Sequence, residues 1–160
     1  MRRSIKQMAT EFRLYWKNYV VQSLLATVSI FVVLLVLTLE EAVIVAAIGS
    51  SVFVIFAMPN SVSARPRNLL GGYAVGVLCG AVCGFLHHPA VHPAIMYSVA
   101  VGLSIFLMVV TDTEHPPASG AALGIAIRGC SIKVLIATAT SAILLCLVHV
   151  CFRRRLKDLT

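Results

Sequence analysis

The chain has 160 residues, of which 59% are hydrophobic and only 12% are charged. A water-soluble domain of this length could not cover so much apolar sequence with polar surface, so the composition excludes one. The formal net charge is +7, but the basic residues cluster beside apolar runs. That arrangement is typical of the cytoplasmic ends of membrane helices and does not indicate nucleic-acid binding.

The first 19 residues form a basic segment with apolar side chains at helical spacing. These apolar positions are Ile5, Met8, Phe12, Tyr15 and Tyr19. Such spacing is typical of a helix that lies on anionic lipid headgroups, and a solvated leader is the alternative. We therefore assign residues 1–19 to a basic amphipathic cytoplasmic segment and leave both alternatives open.

Five apolar runs follow, each of roughly 17–21 residues, which is about the length that a helix needs to cross ~30 Å of hydrocarbon. They are Val20–Leu39, Ala42–Met58, Leu69–Leu86, Ala94–Val110 and Ile132–Phe152. A shorter run, Ala118–Ile127, would reach only about half of that thickness. The sequence therefore predicts an all-α polytopic transmembrane helical bundle with five full spans and one short or half helix. The transmembrane domain covers residues 20–152, and a basic cytoplasmic tail covers residues 153–160.

The distribution of Lys and Arg predicts which connections face the cytoplasm. The first and third connections contain no Lys or Arg, whereas Arg65 and Arg67 follow the second run. If the short run crosses the membrane, all of the 13 Lys and Arg residues except Arg128 and Lys133 lie on the cytoplasmic side. This pattern predicts a bacterial inner-membrane protein with both termini in the cytoplasm. A re-entrant short helix is the alternative.

Four glycines recur at every fourth position of the third run. They are Gly72, Gly76, Gly80 and Gly84. On a helix this spacing makes one flat face where another backbone can approach closely. The sequence therefore predicts a packing face, used either within the subunit or by a second copy in a homo-oligomer.

Two polar, proline-containing loops, residues 57–68 and 111–119, each connect an apolar helix to a helix rich in small residues. Both are predicted to face the cytoplasm, and together they resemble a tandem helix-loop-helix repeat. Paired interruptions of this kind often mark the substrate site of a transporter. The candidate site is therefore expected where the two loops meet.

The second loop has the features of an anion site at a helix start. Proline is favoured at the first helical position, so Pro116 or Pro117 is expected to open a helix whose first free amides lie near Ala118–Gly120. Free N–H groups at the positive end of a helix attract anions, and the Ser119 hydroxyl would add a donor. The alternative is that the two prolines only end one span and begin the next.

Residues outside this loop are assigned to the same site. Arg65, Arg67 and Asn68 belong to the first loop, and an arginine would supply a positive charge; contact with lipid phosphate is the alternative. Ser50 and Ser51 lie in the middle of the second run. Hydroxyls there can line a polar path or bond to their own helix, and helix packing is the favoured role.

His115 is the side chain best suited to exchange a proton near neutral pH. Asp112 and Glu114 lie on the same loop and would raise its pKa if they were close, because a negative charge favours the protonated ring. The three residues are therefore candidates for proton coupling. The alternative is that all three are hydrated loop residues.

Metal binding and catalysis have little support in the sequence. Cys79, Cys83 and His87 share a helical face with a spacing that resembles a metal site, but buried reduced thiols are common. No HExxH or GxSxG motif and no phosphate-cradling glycine loop occurs. We therefore predict no metal, no cofactor and no enzymatic activity. The expected partners are a small inorganic anion and the lipid bilayer.

The chain resembles the HPP family of integral membrane proteins, which is named for the triplet found here as His115-Pro116-Pro117. Ala118 and the Ser/Gly run after it fit the family motif, as do Gly49-Ser50-Ser51 and the stretch from Ser61 to Gly72. The matching residues cover about half of the chain. The resemblance implies a small multi-span protein, usually credited with four transmembrane helices.

Some plastid and cyanobacterial members of that family are implicated in nitrite transport, so the resemblance implies a transporter or channel for nitrite or a similar small monovalent anion. Asp112, Glu114 and Ser119 depart from the expected pattern around the triplet and leave the substrate open. A membrane-embedded scaffold or sensory subunit, whose glycine face docks another membrane protein, is the alternative function.

Overall fold

The computed structural model describes residues 5–36, 42–86 and 90–159. These residues fold into six α-helices joined by short connections, so the prediction of an all-helical protein is confirmed. The helices are α1 (Ile5–Val36), α2 (Ala42–Ala57), α3 (Pro66–Phe85), α4 (Pro93–Val110), α5 (Pro117–Arg128) and α6 (Ile132–Phe152). The end of the first apolar run and His87 of the suggested metal set lie outside the described residues.

Three helices of the described chain, α3, α4 and α6, are long and apolar enough to cross a membrane, and α2 contributes a shorter apolar helix, Ile44–Ala57. The predicted count of five full spans is therefore not confirmed. The basic N-terminal segment and the first apolar run form one helix, α1, in which Tyr15 has a non-helical backbone (φ −119°, ψ 15°).

The short helix α5 lies at the centre of the bundle, packed against α3, α2 and α4. It has 12 residues, about 18 Å at the usual rise, which agrees with the prediction of a half-length helix. Proline occupies its first turn, and Gly129 with φ 85° ends it. Its buried residues are Pro117, Ala118, Ala121, Ala122, Gly124, Ile125 and Ala126. Because these side chains are small, neighbouring helices can approach α5 closely.

The glycine face of α3 packs on α5 and on the loop that precedes α5 in the same chain. A Cβ atom built on Gly72 would lie 2.6 Å from His115 Cβ, and one on Gly80 would lie 2.5 Å from the Ala122 carbonyl oxygen. A Cβ on Gly76 would overlap the carbonyl oxygen of Ala118. Of the two alternatives left by the sequence, packing within the subunit is therefore the one found. A second copy would have to dock on another surface.

The C-terminal residues return to the end of the bundle that carries the proline loops. The amide of Leu159 donates to the carbonyl of Ala57 (2.8 Å), and Asp158 accepts from the side-chain amide of Asn60 (3.0 Å). The Gln22 side chain of α1 donates to the Lys157 carbonyl (2.8 Å). The tail therefore fixes the first proline loop against α1 and α2.

Candidate functional site where the two proline loops meet

His115 joins the two proline loops, and its ring is fully buried. Its Nδ1 lies 2.8 Å from the carbonyl oxygen of Ser63, in the short 3-10 turn Val62–Ala64 of the first loop. Its Nε2 lies 2.7 Å from the hydroxyl of Ser51, in the middle of α2. The two loops therefore meet as the sequence predicted, through one imidazole.

The partners of the ring determine where its proton lies. A carbonyl oxygen can only accept, so Nδ1 carries the hydrogen and donates it to Ser63, which leaves Nε2 of the neutral ring to accept from Ser51. The Tyr73 hydroxyl lies 2.8 Å from Ser51 Oγ and then donates to it. Tyr73, Ser51, His115 and the Ser63 carbonyl thus form one directed chain of hydrogen bonds, which we call the His115 chain.

Burial lowers the pKa of His115 to about 4, and the hydrogen bond to the Ser63 carbonyl only partly opposes this effect. The ring is therefore neutral at pH 7. The expectation that Asp112 and Glu114 would raise this pKa is wrong, because neither carboxylate is bonded to the imidazole. Desolvation is the dominant influence on the ring.

The acidic residues of the second loop bind the start of α3 instead. Arg67 donates through Nη1 to Asp112 Oδ2 (2.7 Å) and through Nη2 to the Thr111 carbonyl (3.0 Å). Asn68 Nδ2 lies 3.4 Å from both the carbonyl and the carboxylate of Glu114. Arg67 is thus engaged by a carboxylate in this structure, and its positive charge is locally balanced.

The start of α5 offers fewer free donors than the sequence indicated. Pro116 already has helical backbone angles (φ −50°, ψ −38°). The amide of Ala118 donates to the His115 carbonyl (2.9 Å), and that of Ser119 donates to the Pro116 carbonyl (3.1 Å). The Ser119 hydroxyl also donates to Pro116 (2.7 Å). Because two consecutive prolines occupy the positions that would lack partners, the predicted cluster of free amides at Ala118 and Ser119 does not form.

A groove of about 460 Å³ opens between α2 and the start of α5. The residues that line it and were predicted as site residues are Ser50, Pro116, Pro117, Ser119 and Gly120. Phe53 adds an aromatic side chain to the wall. Arg65 is exposed in the first loop and does not line the groove. The structure therefore brings five of the eleven predicted binding or gating residues together around one surface opening, next in the chain to His115 and to Ser51.

Tyr73 and Ser63 are the members of the His115 chain that sequence reasoning missed. Ser63 lies within the stretch that resembles the family motif and contributes only a backbone carbonyl, whereas Tyr73 directly follows that stretch, between the glycines of α3. A tyrosine beside a glycine face is a signal that could have been used, since a buried phenol usually requires a hydrogen-bond partner. A backbone acceptor leaves no signal in a sequence.

Within the described residues, no group of three or more His, Cys, Asp and Glu side chains could hold a metal ion. Cys79 and Cys83 are both buried free thiols on α3. The polar groups brought together at the loops are hydroxyl, imidazole, amide, guanidinium and carboxylate groups, all of which can form hydrogen bonds.

Comparison with known proteins supports a membrane role. The chain is 32% identical over 85 residues to a transmembrane protein of Dictyostelium discoideum, a match that covers 52% of this chain and 30% of that protein. The chain thus spans less than a third of the length of the curated relative that it matches. No solved structure matches the chain. Residues 12–158 match the transmembrane region of the HPP family, and the chain therefore belongs to this family of integral membrane proteins.

Proposed function

We propose that the protein is a transporter or channel for a small monovalent anion, with nitrite as the first candidate. The observation that carries this proposal is the groove of about 460 Å³ between α2 and α5, which lies beside the buried His115 chain. The anion would enter between Ser50 and Gly120. Nitrite is named because the family resemblance implies it.

The His115 chain supports coupling of the anion to a proton. A neutral buried imidazole resists protonation, but a negative charge arriving in the adjacent groove would favour the charged ring and raise its pKa. Binding of the anion and binding of the proton would then strengthen each other, because such coupling is reciprocal. Pro116 lines the groove directly after His115 in the chain, so the two events would occur close together.

The proposal includes the orientation that the charge distribution predicts, with both proline loops and both termini in the cytoplasm of a bacterial inner membrane. In that orientation the groove and Arg65 would face the cytoplasmic reservoir of the anion. A scaffold or sensory subunit without transport is the competing function. The glycine face that favoured it is occupied by α5 of the same chain.

Transport in liposomes tests the proposal. Purified protein would be reconstituted, and nitrite influx would be followed with and without an inward proton gradient, with nitrate, formate and chloride as alternative anions. We expect nitrite flux above that of empty vesicles and a rate that increases when the entry side is acidic. Flux equal to empty vesicles for all four anions would leave the scaffold as the better interpretation.

Two variants separate a role of His115 in coupling from a role in folding. His115→Gln keeps a buried hydrogen-bonding side chain but cannot titrate, so we expect residual nitrite flux that no longer responds to the proton gradient. His92→Gln is the matched control, because His92 is an exposed residue at the start of α4. If both variants respond to the gradient like the parent protein, His115 does not couple a proton to the anion.

A further inference from the structure

The inward face of α6 carries hydroxyl groups that have no hydrogen-bond partner among the described residues. Thr138 is fully buried and Ser141 is 2% exposed, yet Thr138 Oγ1 and Ser141 Oγ are both unpartnered. They lie three residues apart on one face, about 4.5 Å along the helix axis. Two neighbouring donors are thus directed into the interior of a membrane helix bundle.

A third hydroxyl of α6, that of Thr140, shows that the helix itself does not prevent a side chain from finding a hydrogen-bond partner. Thr140 is exposed on the outer face, and its hydroxyl donates to the carbonyl of Ile136 (2.8 Å), in the previous turn. Most hydroxyls in membrane helices use this local acceptor. Thr138 and Ser141 have no such bond although they are buried, where an unpartnered hydroxyl is costly. Buried hydroxyls without a partner in the protein are therefore candidates for binding a ligand.

Thr138 also lines a groove of about 440 Å³ between α3 and α6, together with Tyr73, Ala74 and Val77 of α3. Tyr73 is the end of the His115 chain and also lines this groove, whereas His115 does not line it. Helix α6 has 21 residues, and Thr138 to Ser141 lie about 9–14 Å from its start at the usual rise per residue. The two hydroxyls therefore lie near the middle of a helix long enough to span the membrane.

We propose that Thr138 and Ser141 form a second anion-binding element, at which their hydroxyls donate hydrogen bonds to a small monovalent anion near the middle of the membrane. The proposal rests on the transport function proposed above and adds a binding step deeper in the bundle. Substrate sites of transporters usually lie near the membrane midplane.

The chemistry of the groove favours a singly charged anion. Thr138 and Tyr73 are the hydroxyl residues among those that line the groove, and the other lining residues are apolar; Ser141 lies one turn along α6 from Thr138 and does not line the groove. Hydrogen bonds from hydroxyl groups offset only part of the cost of removing a negative charge from water, and that cost is several times larger for a divalent anion. Tyr73 lines this groove and belongs to the His115 chain, so an anion here would lie beside a residue that is hydrogen-bonded toward His115.

The test compares two threonines of the same helix. Thr138→Val removes the hydroxyl at nearly constant shape, and Thr140→Val is the matched control on the outer face. We expect Thr138→Val to require roughly tenfold more nitrite for half-maximal flux, which corresponds to the loss of one hydrogen bond to a charged group. Thr140→Val should behave like the parent protein. A merely structural Thr138 would leave the flux unchanged.

A binding measurement that does not depend on transport completes the test. The melting temperature in detergent would be measured in sodium nitrite and in sodium gluconate at equal ionic strength. We expect nitrite to raise the melting temperature of the parent and of Thr140→Val, and to have no such effect on Thr138→Val. Ser141→Ala provides a second variant if Thr138→Val does not fold.

The possible outcomes distinguish this inference from the transport proposal. Equal flux and equal nitrite-dependent melting in Thr138→Val and Thr140→Val would overturn the α6 site even if the protein transports nitrite. Absence of flux in the parent, together with a nitrite effect that Thr138→Val abolishes, would support the site and reject transport. A parent that shows neither flux nor a nitrite effect would reject both.

Discussion

The two sides of Tyr73 differ in how completely their polar groups are used. On the side of α2 and α5, the His115 chain gives both ring nitrogens of His115 a partner, within 2.8 Å. On the side of α6, Thr138 and Ser141 have no partner among the described residues. The first side also contains one buried hydroxyl without a partner among the described residues, Ser61 Oγ of the first proline loop. The first side thus combines a bonded chain that fixes the loops with the groove proposed for anion entry, whereas the α6 side offers the hydroxyls proposed to bind the anion deeper in the bundle.

The packing of α3 explains why its two sides differ. Gly76 and Gly80 allow the backbone of α5 to reach that of α3 without an intervening side chain, and Gly72 allows His115 to approach α3 in the same way. The opposite face carries Ala74 and Val77, whose side chains line the groove beside α6. Small residues on one face of a helix therefore produce a tight contact there, and larger residues on the other leave space between the helices.

The largest loss of stability is expected from Gly76→Ala, which tests how closely α3 packs against α5. The added methyl group would overlap the carbonyl oxygen of Ala118, part of a backbone that can move only if α5 shifts. We expect a loss of about 3 kcal/mol in the free energy of unfolding, the upper part of the range for overpacked cores. Thermal unfolding in detergent measures it.

Gly102→Ala is the control for this substitution, because a Cβ atom there would meet nothing within 4 Å. In a helix interior, alanine is more favourable than glycine by up to about 1 kcal/mol, so this variant should be as stable as the parent or slightly more stable. If Gly76→Ala melts at the same temperature as Gly102→Ala, the contact between α3 and α5 is looser than the structure indicates.

A smaller loss of stability is expected when the pH is lowered, because His115 is buried. Its pKa is about 4 in the folded protein and 6.5 in its ordinary state, so the unfolded chain binds a proton more readily between these values. The contribution of His115 to the free energy of unfolding is therefore greatest above pH 6.5, decreases as the pH falls and is smallest below pH 4. Between pH 7.5 and pH 5 the expected loss is about 2 kcal/mol.

The variant His115→Gln isolates this contribution, since it cannot titrate while the other ionisable groups still do. Unfolding in detergent at pH 7.5 and pH 5 should give a smaller pH dependence for the variant than for the parent, by about 2 kcal/mol. Equal pH dependence in the two proteins would mean that the imidazole is already accessible to water, and the contrast between the two sides of Tyr73 would disappear.

The helices were largely predictable because the features that define each one lie within its own stretch of sequence. The predicted run Ile132–Phe152 coincides with α6, and Ala94–Val110 differs from α4 by one residue. Apolar length and proline at the helix starts were sufficient for this. The number of full spans was not confirmed in the same way, because α2 has only 16 residues and the end of the first apolar run lies outside the described residues.

The contacts of the candidate site were harder to predict. His115 and Ser63 are 52 residues apart in the chain, and the sequence carries no sign that a backbone carbonyl accepts from the ring. The expected amides of α5 were assigned to an anion because the local pattern could not show that His115 and Pro116 already accept from them. Hydrogen bonds between distant segments depend on how the helices pack, and packing is a property of the whole fold.

The smallest effect is expected from Arg67→Ala, at the outer edge of the α5 side. Its ion pair with Asp112 is 64% and 70% exposed, and exposed pairs contribute about 0–1 kcal/mol. The variant should lose little stability, and the difference from the parent should vanish in high salt. Arg65→Ala is the control from the same loop. Unchanged melting combined with a large loss of nitrite flux in Arg67→Ala alone would show that its guanidinium leaves Asp112 to contact the anion. The α5 side would then bind the anion through a full positive charge, which would sharpen the contrast with the uncharged hydroxyls of α6.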